Sequence, residues 1–349
     1  MDGKSQSIDE RNGRGDERVG LVLGGGAALG LAHVGVIRAL GQEKIRVDVV
    51  VGCRMGAIVG GLWVTGRNAD DFQKIAGEFS SKVGALKIFD PPIGRGLILL
   101  AISGLLWLFG YTALAAVGVV LLALLGLVPV SAVVNGKVIE RWLKSKFAQA
   151  TFQGTKIPFK VIGHDLLRRE DVLLDQGLLS EAVFKSIALP GIIPPVMASG
   201  QMIVDGGVLN PLPVNVLRQM GIRKIIAVNV LPSPEDVCRG EKQAAERREQ
   251  LSRISLFRHP WKVLAFRLEM LAGRALSPNI ADVVVRSSQS AQYVFAKESG
   301  RQADVLIAPD LGGFQWFELY EAEALIQCGY DAAMRQIVEL RHMNESKIS

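Results

Sequence analysis

Three cysteines and four histidines are all that this 349-residue chain has of the residues that most often staple a fold or hold a metal. Cys53, Cys238 and Cys328 are odd in number and far apart, which excludes a disulfide framework and fits a reducing compartment. His33, His164, His259 and His342 are too scattered for a histidine cage, so no metal is expected. The first eighteen residues are polar and charged, and no secretory signal peptide is expected there. No internal repeat is found. With 49% hydrophobic and 21% charged residues, the composition excludes a disordered or collagen-like chain. The length suits one large or two ordinary domains.

Charge is missing altogether from Gly96 to Gly136, 41 residues of mostly Leu, Val, Ala and Gly. A single span needs about 20 apolar residues, so the run is long for one helix and short for two full ones. A core helix of a soluble domain rarely stays apolar on every face for so long. Lys82, Lys87 and Arg95 precede the run, and Lys137, Arg141, Lys144 and Lys146 follow it, which puts both ends on the cytoplasmic side. Gly104, Gly110, Gly118 and Gly126 punctuate it. The expectation is a hydrophobic helical hairpin over 97–134 that dips into or crosses the bilayer and returns.

Around that insertion, strands and helices alternate. Val19 to Leu23 is a short apolar strand running into Gly24-Gly25-Gly26-Ala27-Ala28-Leu29-Gly30, with a helix to about Gln42. Val47 to Val51 is a second strand, ending at Gly52-Cys53-Arg54-Met55-Gly56 before a helix through about Trp63. Val138 to Lys146 reads as helix, Phe159 to Gly163 and Val172 to Leu174 as strands, and Met202 to Val204 as a strand ending at Asp205-Gly206-Gly207. Pro213 to Met220 is a helix, Lys224 to Val230 and Asp304 to Ala308 are strands, and Phe317 to Leu340 is one long final helix. Continuous apolar strands separated by helices predict an α/β fold with a mostly parallel sheet covered on both faces. The organisation expected is a polar tail over 1–18, a core over 19–231, a charged and partly helical segment over 232–300, and a closing strand and helix over 301–349.

Two readings compete for the front of the chain. Gly24, Gly26 and Gly30 after a strand make a weak dinucleotide pattern, with Arg54 placed for a 2′-phosphate, which would mean an NADP-binding Rossmann-type protein. The acid expected at the end of the second strand is missing, and Asp48 stands near its beginning. Alternatively, Gly52 and Gly56 frame a nucleophile elbow of the G-x-S-x-G kind, with Arg54 in place of the serine. The upstream glycine loop then offers amides for an oxyanion. Some of these glycines serve helix–strand packing under either reading.

The segments LVLGGGAALGLAHVGVIRAL (21–40), VVGCRMGAIVGGLW (50–63), SIALPGIIPPV (186–196) and VDGGVLNPLPVNVLRQMG (204–221) together resemble the bacterial patatin-like phospholipases. ADVLIAPDL (303–311) and LIQCGYDAAM (325–334) match more loosely. The resemblance implies a three-layer patatin-like fold and hydrolysis of acyl esters in membrane lipids by a Ser–Asp dyad, without cofactor. It gives Asp205 the place of the general base and the amides of Gly25, Gly26 and Ala27 that of the oxyanion hole. His33 is left as a packed helix residue, Ser186 and Asp165 as structural residues.

Two positions depart from the family pattern, and both lie at the chemistry. Leu29 stands where the glycine loop often has arginine, and Arg54 stands at the nucleophile. A guanidinium stays protonated and cannot attack a carbonyl, and a cation at a helix start opposes the dipole. An Arg54–Asp205 ion pair is therefore expected, with hydrolysis impaired; Cys53, its side chain directed away, is no substitute. The alternative is a pseudoenzyme that binds lipid or scaffolds at the membrane. Leu251 to Leu276, with Arg253, Arg258, Lys262, Arg267 and Arg274 among aromatics, suits anionic head groups. No motif for nucleic acid accompanies that charge.

Overall fold

A computed structural model describes residues 17–67, 71–72, 75, 136–252, 280–314 and 321–344. The expected hairpin over 97–134, the basic stretch over 253–276 and nearly all of the 1–18 tail lie outside the described residues. Among the described residues no helix is long and apolar enough to cross a membrane.

The elements in chain order are β1 (Val19–Leu23), a 3-10 turn (Ala27–Leu31), α1 (Ala32–Gln42), β2 (Val49–Gly52), α2 (Met55–Val64), α3 (Gly136–Phe147), β3 (Phe159–Asp165) and β4 (Glu170–Leu174). They continue with α4 (Leu179–Ser186), β5 (Val196–Ala198), β6 (Gln201–Asp205), α5 (Val214–Gln219), β7 (Lys224–Val228), α6 (Pro234–Ser252), α7 (Ile280–Gly300), β8 (Val305–Ile307), α8 (Ala322–Arg335) and α9 (Ile337–Asn344). One eight-stranded sheet runs β5-β6-β3-β2-β1-β7-β8, with β4 on the other edge of β3.

The β3-β2-β1-β7-β8 part is parallel throughout. Its strands are buried on both faces, so their side chains divide between two cores. Leu21, Leu23, Val50, Val161, Ile226 and Val228 pack with α1–α4 and α8 on one side. Val22, Val49, Val51, Ile162, Ile225 and Ala227 pack with α5 and α7 on the other. The mostly parallel three-layer architecture is thus present.

Cover on both faces holds for the inner part of antiparallel β6, where Ile203, Val204 and Asp205 are buried, but not for β4 and β5. β4 alternates exposed and half-buried residues, and β5 is partly open as well. The long final helix is also corrected: α8 stops at Arg335 and α9 begins at Ile337. Gln336 between them reaches the Leu306 carbonyl of β8 at 2.8 Å. Helix α1 crosses α8 where Gly35 and Gly329 leave no space for a Cβ, each lying against the other helix's backbone.

Candidate active site

The register explains why residues far apart in sequence meet. β2 pairs with β3 in parallel only as far as Gly52↔Val161. Two residues further along the same edge of β3, β6 arrives antiparallel and ends at Asp205↔Gly163, β4 holding the opposite edge. The carboxyl ends of β2 and β6 therefore face one another. The residues just past β2 and at the tip of β6 are delivered to one point, beside the glycine loop that follows β1.

Arg54 sits there in a strained turn, at φ 55° and ψ −118°, before the first residue of α2. A non-glycine residue holds such a backbone only where its surroundings over-determine it, at about 1–3 kcal/mol. The surroundings here do so: the Arg54 N–H donates to Ser186 Oγ at 3.1 Å, and the Ala57 and Ile58 amides bond back to the Arg54 carbonyl. Gly52 and Gly56 have no room for side chains, since a Cβ at Gly52 would lie 2.7 Å from Ala57 Cα and one at Gly56 would strike the Leu23 carbonyl.

The arginine side chain fills the space in front of the elbow. Its stem lies on Gly25 and Gly207; a Cβ at Gly207 would come within 2.6 Å of Arg54 Cδ. Gly206 is closed against the Ile162 backbone, Gly26 and Gly24 against β7 and its continuation, and Gly30 against Met55. Nε stands 2.9 Å from Asp205 Oδ2, so the expected ion pair is formed, with the arginine side chain 14% exposed and the aspartate fully buried. The contact lacks the alignment of a hydrogen bond, and Oδ2 has no such partner among the described residues. Oδ1 accepts from the Gly207 N–H at 2.8 Å. Burial pushes the Asp205 carboxyl above the usual carboxylate range, against the lowering effects of Arg54 and the Gly207 amide.

The third partner of Arg54 was not read from the sequence. Gln292 of α7, almost wholly buried, accepts from Arg54 Nη1 at 2.8 Å. A lone glutamine in a helix, 238 positions away, carries no local signal.

The glycine loop divides in two. The Gly25 N–H donates to the Pro211 carbonyl at 3.0 Å, so this amide, expected to face an oxyanion, is engaged in holding the loop. The Gly26 and Ala27 amides have no acceptor among the described residues, and Ala27 takes a positive φ of 50°. His33 is a packed residue as expected: Nε2 lies 2.8 Å from the Gly24 carbonyl, and burial lowers its pKa to about 4. It is neutral at pH 7, so Nε2–H is the donor. Burial, reinforced by the Asp205 charge, raises Cys53 well above the ordinary thiol range and keeps it protonated. Asp165 caps its own turn by accepting from the Leu167 amide at 3.0 Å.

Of the groups a dinucleotide would need, Arg54 is taken by Asp205 and Gln292. Asp48 accepts the Val19 amide at the opposite end of β1. Among the described residues no cluster could hold a metal ion.

Behind the elbow lies an apolar cavity of about 170 Å³. Met55, Ile58 and Leu62 of α2 form one wall and Ile187 another. Phe72 and Ile75 close it from before the charge-free run, Ile139 and Trp142 from after it.

Comparison with known proteins adds the family. The model for patatin-like phospholipases matches residues 21–218, more than half of the chain. A lysophospholipase of Candida albicans is 28% identical over 217 residues, 62% of this chain and 13% of its own length. An uncharacterized NTE family protein of Mycobacterium bovis is 30% identical over 218 residues, 62% of this chain and 50% of its own. The neuropathy target esterase of Drosophila melanogaster is 28% identical over 215 residues, 61% of this chain and 13% of its own. The chain thus spans half or less of the length of these curated relatives.

Proposed function

The chain belongs to the patatin-like phospholipase family, and from that premise we propose that it is a membrane-associated lipid acyl hydrolase by descent whose hydrolysis is impaired by Arg54. The observation that carries the reading is the guanidinium beside Asp205, at 2.9 Å, where an attacking hydroxyl would have to stand. In a working site of this design the elbow hydroxyl attacks the ester carbonyl while Asp205 takes its proton. The Gly26 and Ala27 amides then receive the charge that develops on the carbonyl oxygen. Arg54 can do neither part of the hydroxyl's work, and its charge occupies the base.

Binding is a separate matter. The apolar cavity begins one residue past Arg54, at Met55, and suits an acyl chain whose ester lies at residue 54. Its walls include residues on both sides of the charge-free run. That arrangement supports lipid reaching the cavity from a bilayer entered by the insertion, with the core on the cytoplasmic face. A second reading, a pseudoenzyme that binds or scaffolds at the membrane, is favoured by Gln292. A guanidinium with its own neutral partner, besides the inherited carboxylate, belongs to a pocket fitted to arginine.

The test is hydrolysis of a chromogenic short-chain ester by the chain, by Arg54→Ser and by Arg54→Ser/Asp205→Ala. Losing a nucleophile costs on the order of 10⁴–10⁶ in rate, so Arg54→Ser should gain at least about a thousandfold and the double variant should lose it again. The gained activity should fall away as pH drops through the Asp205 pKa, above the ordinary carboxylate range, because a base must be ionised to accept the proton. Turnover by the unaltered chain that is abolished by Asp205→Ala sinks the reading. An inactive Arg54→Ser decides for the pseudoenzyme.

A further inference from the structure

β3 runs four residues beyond its last pairing with β2, from Val161 to Asp165. At about 3.3 Å per residue this carries its turn roughly 13 Å past the end of the sheet at which Arg54 sits. The β5–β6 hairpin rises beside it to the same height, with Asp165 opposite Ile203 and Ala198 opposite Gln201. The two tips are tied together. The Leu166 N–H donates to the Met202 carbonyl at 3.0 Å, and the Asp165 carboxylate accepts from the Met202 amide at 3.2 Å and from the Leu167 amide at 3.0 Å.

This rigid rim points apolar side chains outward. Leu166, Leu167 and Met197 are 41%, 58% and 63% exposed. Single exposed leucines are ordinary on a protein surface. Three large apolar residues on two joined tips, at the end of the sheet that holds the site, form a patch of the kind that meets a partner or a membrane. The sequence beside it favours a membrane. Gly136, the last residue of the charge-free run, opens α3 where a Cβ would lie 2.7 Å from Pro194 Cγ, three residues before Met197. Arg168, half-exposed and within 3.2 Å of Asp165, adds a cation to the turn that carries Leu166 and Leu167, and a long cationic side chain beside apolar ones suits a head-group layer.

We propose that this rim is an interfacial anchor. Leu166, Leu167 and Met197 enter the boundary between head groups and acyl chains of a bilayer and hold the Arg54 end of the sheet against the lipid. The inference rests on the membrane reading above and assigns part of the contact to the sheet itself.

The test uses the full chain carrying Cys238→Ser, Cys328→Ser and Leu167→Cys, with an environment-sensitive fluorophore on the new thiol; Cys53 is buried. It is mixed with phosphatidylcholine vesicles containing phosphatidylglycerol. The same label at Val338→Cys, 60% exposed on α9, is the control, and Met197→Cys is a second rim position should Leu167→Cys fold poorly. The expected result is a blue shift at 167 and 197, quenched by lipids with a shallow nitroxide, and none at 338. Co-sedimentation with vesicles but no shift at either rim position overturns the anchor and leaves membrane association standing. No co-sedimentation overturns membrane association, and the anchor with it. A shift that grows with protein concentration in the absence of vesicles assigns the rim to a second copy of the chain and also overturns the anchor.

Discussion

Helix α2 begins two different places at once. Its first turn frames the elbow, where glycines at 25, 52, 56 and 207 shape the space down to single atoms and a charged side chain fills it. The same helix lines the apolar cavity, where Met55 of that first turn, with Ile58 and Leu62 further along, leaves about 170 Å³ open. The elbow depends on contacts that tolerate no added methyl group, the cavity on a general apolar lining that many side chains can provide. On the function proposed above, one substitution would remove chemistry from the first and leave the second as it was. Turning over an ester and holding its acyl chain would then be separable, because they rest on different kinds of packing.

That contrast is open to direct attack. The largest effect on stability is expected from Asp205→Ala with Arg54 kept. Stranding one half of a buried ion pair costs on the order of 3–5 kcal/mol; the slight exposure of Arg54 and its bond to Gln292 put the expectation near the lower end. Chemical denaturation of the purified chain measures it, and a loss under about 1 kcal/mol would mean that the pair contributes nothing.

Next comes Gly207→Ala. The new methyl meets Arg54 Cδ at 2.6 Å, and overpacking of this sort costs about 1–3 kcal/mol. Arg54→Ser should cancel that cost, so a double-mutant cycle gives a coupling of about the same size. Additive effects would show that the glycine is needed for something other than the arginine.

The smallest effect belongs to the cavity. Ile58→Trp should fill it and weaken binding of a fluorescent fatty acid about tenfold, near 1.4 kcal/mol. The elbow should be untouched, read out as unchanged ester turnover in an Arg54→Ser background with a substrate too short to reach the cavity. Undiminished fatty-acid binding would place the acyl site elsewhere.

What the sequence disclosed follows the same division. The elbow glycines around Arg54 were legible because a strand, a tight turn and a helix leave a local signature, whereas Asp205 and the significance of Arg54 were legible only through the resemblance to patatin-like phospholipases. The parallel core was legible from its unbroken apolar strands. Gln292 was not, since its role comes from where α7 lands and not from its neighbours in the chain. The cavity was invisible for a related reason: Phe72 and Ile75 are separated from Ile139 and Trp142 by the whole charge-free run, and each looks like ordinary core. β5, three residues long, is too short to show a period. The break at Gln336 has no glycine or proline to announce it and coincides with one side chain's bond to β8. The engagement of the Gly25 amide with Pro211 likewise depends on a contact that only the folded chain brings about.

The meeting of β2 and β6 along a single edge of β3 has a consequence for inheritance. Position 54 and its opposing carboxylate are aligned by backbone pairing, which is indifferent to the side chain at the elbow. Whatever residue mutation deposits there, be it hydroxyl, thiol, amide or cation, is presented to the same acid in the same orientation. Such a scaffold can lose its reaction in one step and stay folded, and the route back is equally short.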